Sequence, residues 1–371
     1  MESSSSHPPA PAPAAGTDPS AAFHLDVAAL SDPGLEREGN EDSFLVVSPP
    51  GWAVLAVCDG MGGAAGGEVA SRTTVDVLRE VLTLGGAPVT RDALGRRLLR
   101  AVEEAGRRVF ADSRRLPGLA GMGTTATACA LTGDVLYLAQ VGDSRAYLLR
   151  EGSLTQLTRD QTLATLMMER GQLAPEDLAD FPHAHVILQA VGTAERLEVD
   201  LTRVRVARGD VLLICSDGLY GHLRHDALRD VLARETTPAA ACAALIALAN
   251  AEGGPDNITA IVAHVSGDAL EAPSGPPAPE KARLEEDQTV QITPLRRADI
   301  RPAPTVKAME EGVLGRLAAI FRRHQDAALG AIVLAELNPA IDVRDDREVL
   351  RTPRLEQLGN TRQPAGDVAR L

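Results

Sequence analysis

The sequence predicts an α/β domain built on antiparallel sheet, from three observations. Apolar runs rich in Val, Leu, Ile and Ala recur at strand length, as in Trp52–Cys58, Val135–Val141 and Asp210–Cys215. Several are joined by short turns, Thr132-Gly133-Asp134 and Gly142-Asp143-Ser144 among them, and turns of that length pair strands antiparallel. Glu68–Leu84 and Arg91–Ser113 carry helical periodicity and good helix formers.

Residues 1–20, MESSSSHPPAPAPAAGTDPS, have no means of building a core and are expected to be a disordered N-terminal segment. Phe23–Ala29 alternates weakly, as a first strand would. Ser43–Val47 and Trp52–Cys58 predict a hairpin through Ser48-Pro49-Pro50-Gly51. After the two long helices, a loop at Pro117–Gly123 leads into strands over Thr124–Leu131, Val135–Val141 and Arg145–Arg150. Gln161–Gly171 and Ala174–Asp180 read as short helices around an insertion that ends near His185. Leu197–Val206 and Asp210–Cys215 predict strands, Asp226–Arg234 and Pro238–Ala251 helices, and Asn257–Val265 a last apolar strand. The domain is thereby bounded at 21–266. Residues 267–305 read as a Pro-rich linker, 306–337 as a short helical segment and 338–371 as a charged tail.

Aromatic content is only 2%, so the core must rest on aliphatic side chains. A formal charge of −14 argues against a nucleic-acid partner, which would need a basic surface. Cys58, Cys129, Cys215 and Cys242 sit in apolar segments without C-x-x-C spacing and read as buried thiols in a reducing compartment. Neither a signal peptide nor an apolar stretch of spanning length is evident, so the expected setting is the cytoplasm.

The chemistry gathers at strand ends. VLAVC runs into Asp59-Gly60, VLLICS into Asp217-Gly218, and GGP-Asp256-Asn257 precedes ITAIVAHV; VLYLAQVG-Asp143-Ser144 is similar. One such Asp is ordinary turn chemistry, and a capped strand-turn-helix corner would account for the glycine-rich stretch after Asp59 equally well. If those strands neighbour one another, four carboxylates converge, and these repel one another unless a cation neutralises them. A carboxylate beside the Gly60 carbonyl suits Mg²⁺ or Mn²⁺, and charge balance favours two ions, the usual arrangement for in-line attack on phosphorus. Arg37, ahead of Asn40-Glu41-Asp42, has the planar fork that grips a phosphate, although in isolation a surface arginine is the simpler account.

SDPGLEREGNED at 31–42, VCDGMGGAAGGEVAS at 57–71, GMGTTATA at 121–128, VGDSRAYLLREGSLTQLTRDQT at 141–162, LLICSDGLYG at 212–221 and GGPDNITAIV at 253–262 occur in a telling order. With them, residues 26–266 resemble the metal-dependent, type 2C serine/threonine protein phosphatase family in its bacterial form. The resemblance implies an α-β-β-α sandwich, two packed antiparallel sheets flanked by helices. It implies that Asp59 bridges two catalytic ions, that Gly60 offers its carbonyl to one, and that Asp217 and Asp256 complete the other. Glu41 and Asp42 would act through bound waters, Asn257 would orient the neighbouring ligand, and Arg37 would hold the substrate phosphate. Asp143 with Asp217 would form a third, weaker ion site, and Gln161–His185 falls where the family has a mobile flap. Animal members carry a His as proposed general acid where this chain has Met61, which has no proton to give; His183 and His185 are better read as solvated loop histidines.

The implied activity is hydrolysis of phosphoserine and phosphothreonine in phosphoproteins by a water bridging two Mg²⁺ or Mn²⁺ ions, with bacterial Ser/Thr kinases and their targets as substrates. The absence of a C-x₅-R arrangement agrees with direct attack. A catalytically dead phosphoprotein-binding scaffold is the competing class, disfavoured because Asp59, Asp217 and Asp256 are all present. A nucleotide-binding module lacks both G-x-x-x-x-G-K-[ST] and a strand-following G-x-G-x-x-G. In the tail, Gln288-Thr289-Val290-Gln291-Ile292 resembles ligands of phosphothreonine-binding forkhead-associated domains, with an unmodified linker the simpler reading.

Overall fold

The computed structural model describes residues 23–284 apart from 63–65, 85 and 87–89. The expectations for residues 1–20, the Thr289 segment, the helical segment at 306–337 and the tail at 338–371 lie outside the described residues. In chain order the elements begin with β1 (His24–Asp32), β2 (Ser43–Val47), β3 (Trp52–Cys58), β4 (Gly60–Met61), α1 (Gly66–Thr83) and α2 (Arg91–Arg115). Next come β5 (Gly123–Thr124), β6 (Ala126–Thr132), β7 (Val135–Val141), β8 (Arg145–Arg150), β9 (Ser153–Gln156), α3 (Leu163–Glu169) and a 3-10 turn at Pro175–Asp180. β10 (Asp200–Arg205), β11 (Val211–Cys215), α4 (Asp217–Tyr220), α5 (His225–Arg234), α6 (Pro238–Ala251), β12 (Ile258–Ser266) and β13 (Glu280–Lys281) complete them.

The strands form a five-stranded sheet in the order β1-β12-β11-β8-β9, a six-stranded sheet in the order β13-β10-β7-β6-β3-β2, and a separate two-stranded ladder of β4 and β5. Every pairing is antiparallel. Strand alternation builds the layers. On β3, Ala53, Leu55 and Val57 face the other sheet, while Val54, Ala56 and Cys58 face the helices. Each buried residue set therefore serves one interface: α1 and α2 on the six-stranded sheet, sheet on sheet, and α5 and α6 on the five-stranded sheet. The expected α-β-β-α sandwich is what the chain forms. Side-chain caps start α2 and α6: the Thr90 and Thr237 hydroxyls accept the Ala93 and Ala240 N–H groups, with Pro238 entering α6. Among the described residues no helix is long and apolar enough to cross a membrane.

Three local differences from the sequence reading have physical causes. Thr124–Leu131 is not one strand but two, because Thr125 breaks the run to bond Asp59 through main chain and side chain. β9 forms because Glu151 and Gly152, at φ 49° and 78°, make a tight reversal after β8. And Asp217 is not simply a strand end: it opens the single turn α4.

The Pro-rich stretch expected as linker from residue 267 begins as a strap on the domain. Leu270 is 2% exposed between the sheets, β13 adds to the edge of β10, and the Ala282 N–H donates to the Leu201 carbonyl at 3.0 Å. Leu284 then packs on the helix side of the same sheet. Proline composition conceals this, since the strap contributes only two residues of ladder. Leu270→Ala should lower unfolding free energy by about 2–5 kcal/mol, as for other buried leucines. Urea unfolding checks this, and a linker position would show almost no change.

Candidate metal and phosphate site

The pairing register carries the strand-end aspartates to one rim. Arg145 pairs with Cys215, so continuing the antiparallel ladder two steps sets Asp143 opposite Asp217. Cys215 also pairs with Ala260 and Asp32 with Ile258, which brings Asp256, two residues ahead of Ile258, to the same end. From the other sheet, Val57 pairs with Thr127, and Asp59 emerges beside Thr125. Together Asp59, Asp143, Asp217 and Asp256 line a cleft of about 660 Å³, with Arg37, Glu38, Glu41, Gly60, Met61, Glu68 and Asn257. Both sheets are thus needed to assemble it.

Main-chain bonds fix each piece. The Asp59 N–H donates to the Thr125 hydroxyl at 2.9 Å, and the Asp59 carbonyl accepts the Thr124 hydroxyl and the Thr125 N–H, each at 2.8 Å. The Thr125 and Ser144 hydroxyls lie 2.7 Å apart, which ties the Asp59 corner to the turn carrying Asp143. Nothing in the sequence marks these threonines as functional positions, although both lie within GMGTTATA. The Asn257 side chain donates to the carbonyls of Pro33 and Gly39 and accepts the Glu41 N–H at 2.8 Å. Its visible work is therefore to staple the Arg37–Glu41 loop to the rim.

Gly60 sits where no side chain fits. A Cβ there would lie 2.2 Å from the Gly67 carbonyl oxygen and 2.6 Å from that of Glu41. Gly60→Ala should therefore push the start of α1 off the site and cost about 1–3 kcal/mol, the range for overpacking. A denaturation midpoint equal to that of the native chain would refute the close fit.

Electrostatics mark the cluster. Burial, reinforced by Asp42, Asp217 and Asp143, pushes the Asp59 carboxyl well above the usual carboxylate range. Burial and the Asp217 charge push Asp143 up to about 7. Asp42 is also pushed up to about 7, by burial against the opposing pull of hydroxyl bonds, and lies beneath the cleft with Ser216 donating to its Oδ2 at 2.8 Å. Glu41 is raised by burial, with Arg37 lowering it. Asp217 Oδ1 is buried with no hydrogen-bond partner, as is Asp42 Oδ1. A buried carboxylate oxygen left bare costs free energy that a cation would recover.

The donors fit a hard divalent ion: carboxylates, the Gly60 carbonyl and a bare Asp217 oxygen. As they stand, no group of three or more His, Cys, Asp or Glu side chains among the described residues is arranged to hold one. Asp256 is engaged elsewhere, its Oδ2 accepting from Arg37 Nη2 at 2.9 Å. That pair is exposed, Arg37 at 53% and Asp256 at 36%, so parting it costs little. Ile187, two residues past the expected end of the insertion, lines the cleft; His183 and His185 are exposed and do not line it.

Residues 36–251 match the model of the protein phosphatase 2C family. The chain belongs to that family. It is 39% identical over 245 residues to the serine/threonine protein phosphatase PstP of Mycobacterium tuberculosis, a match covering 65% of this chain and 45% of PstP. The chain thus spans less than half of that relative's length. With the serine/threonine phosphatase stp of Listeria monocytogenes it shares 33% identity over 233 residues, covering 62% of this chain and 92% of the relative. Among solved structures, the catalytic domain of PstP in complex with two manganese ions aligns with a TM-score of 0.57 and 38% identity, over 66% of this chain and 99% of that one. The Streptococcus agalactiae serine/threonine phosphatase aligns with a TM-score of 0.62 and 32% identity, over 66% and 100%. The protein phosphatase 2C fold thus spans the described domain.

Proposed function

We propose that this chain is a Mg²⁺- or Mn²⁺-dependent phosphatase that hydrolyses phosphoserine and phosphothreonine in proteins. The observation that carries the reading is the convergence of Asp59, Asp143, Asp217 and Asp256 on one cleft, with a bare buried oxygen on Asp217. Asp59 and the Gly60 carbonyl, with Asp217 and Asp256, would hold two ions, and Asp143 with Asp217 a third. When bound, such ions act as Lewis acids that polarise the phosphoryl group and make water a competent nucleophile near neutral pH.

The chain's own side chains do the rest. Arg37 would exchange Asp256 for the substrate phosphate, a bidentate partner of like geometry and greater charge. Asn257 holds the loop that presents Arg37. Met61, half-exposed beside Gly60, has no proton to give, so protonation of the leaving alkoxide falls to solvent. All four cysteines are buried, and burial raises their thiol pKa values, Cys242 to about 11, which supports direct attack by water over a cysteine intermediate. Protein kinases that phosphorylate Ser and Thr are the class of enzyme whose product this site would consume.

Phosphate release from phosphothreonine, phosphoserine and phosphotyrosine peptides tests the reading. Turnover of the first two with Mn²⁺, little for the third and none in EDTA is expected. Turnover that persists in EDTA, or none with any divalent ion, would overturn it.

A further inference from the structure

Asp143 and Asp217 both face the cleft, yet the side chains that hold their main chains apart lie outside it. Arg145 Nε and Nη2 donate to the Asp160 carboxylate at 2.9 and 2.6 Å, and Nη1 donates to the Tyr147 hydroxyl at 3.0 Å. The same guanidinium lies 3.7 Å from the centre of the Tyr220 ring. The Tyr220 hydroxyl in turn donates to the Asp143 carbonyl at 3.0 Å. Tyr220 closes the single turn that Asp217 opens, three residues on, so the two share a side of that turn. One ring thus touches both aspartate-bearing segments, and one arginine fixes the ring.

A second tie meets it. Gln161, next to Asp160, donates its N–H to the Gly142 carbonyl and accepts the Gly142 N–H through its side chain, both at 2.9 Å. The turn at Gly142–Ser144 is therefore clamped from α4 and from the root of the insertion. The Arg145–Asp160 pair is largely buried, at 26% and 11% exposure. Such a pair gives little net stability over apolar packing, so its fixed geometry is the more informative property. A guanidinium suits that use, being flat enough to stack and forked enough to bind Asp160 twice.

We propose that Arg145 is a positioning residue which, through the Tyr220 ring, sets the separation of Asp143 from Asp217 and so the affinity for a divalent ion shared between them. The proposal rests on the metal-dependent reading above, but ion binding tests it without turnover. Mn²⁺ titration by calorimetry on the full chain compares wild type with Arg145→Lys, Tyr220→Phe and the double variant, alongside melts in EDTA. Lys keeps the charge and loses the fork and the flat face; Phe keeps the ring and loses the bond to Asp143. Each single change should weaken the weakest Mn²⁺ site about 10-fold, as expected for partners of metal ligands. The double variant should add little, because both act through one contact. Tighter Mn²⁺ binding should change less, because the Tyr220 hydroxyl holds the Asp143 carbonyl and not Asp217.

A lowered melting point with every Mn²⁺ affinity unaltered would mean a merely structural role and would overturn the proposal. Wild-type chain that binds no Mn²⁺ would overturn it too. Mn²⁺ affinity that falls as described in a chain without phosphatase turnover would uphold it while sinking the phosphatase reading.

Discussion

Asp59→Asn should abolish Mn²⁺-dependent phosphate release and stabilise the ion-free protein at pH 8. Both effects come from one carboxylate. Asp59 stands between Asp42, Asp143 and Asp217, whose charges, after burial, raise its pKa. Asn occupies the same volume, keeps the Thr124 and Thr125 bonds because these go to main chain, and deletes the charge. The remaining aspartates then repel less, so the ion-free fold gains. If Asp59 is the ligand common to both ions, as proposed, the loss of rate should exceed the roughly 10–100-fold typical of changes to a ligand's hydrogen-bond partner. Phosphate release and thermal melting in EDTA check the two halves. A variant with near-native turnover would remove Asp59 from the site.

Stripped of divalent ions, the domain should lose stability as pH rises through neutrality. Asp42 and Asp143 are pushed from an ordinary value of 3.8 up to about 7, and Asp59 is raised as well. The folded state therefore binds these protons more tightly than the unfolded chain. Their stabilising contribution is complete below about pH 4 and is lost as pH climbs through about 7. One pKa unit corresponds to about 1.4 kcal/mol, so the sum is several kcal/mol. Paired surface carboxylates such as Glu80 and Glu169, which arginines hold below their usual range, work in the opposite direction but sit in solvent. Melting in EDTA at pH 5.5 and pH 8 should show the lower midpoint at pH 8. Mn²⁺ at 100 times its dissociation constant should return about 2.7 kcal/mol there. Equal midpoints in EDTA would mean that the carboxylates do not share their charge as the geometry requires.

Much of this site was legible because its residues are local punctuation in strongly patterned strands. β2, β3, β7 and β8 have the bounds that their apolar runs and turns predict. An aspartate that ends a wholly apolar strand is visible without tertiary knowledge; that four of them meet follows only from strand order and register. The threonine bonds to Asp59 were invisible for the same reason, since Thr124 and Thr125 read as strand formers until β3 is laid beside β6. Arg37 carried no cue that it would bond Asp256, which lies more than two hundred residues away. Arg145 and Asp160 bracket a hairpin, and nothing in their spacing marks a pair. The strap after Ser266 was hidden by composition, because prolines and charges signal a linker whether or not one buried Leu anchors it.

The most direct test of the central claim, that the strand-end carboxylates form the divalent site that drives hydrolysis, follows phosphate release from a phosphothreonine peptide in one sample through additions of Mn²⁺, excess EDTA and Mn²⁺ again. Wild type should switch on, off and on, while Asp217→Asn stays off throughout although it folds cooperatively. Wild type that is insensitive to EDTA, or an Asp217→Asn variant that matches its rate, would contradict the claim.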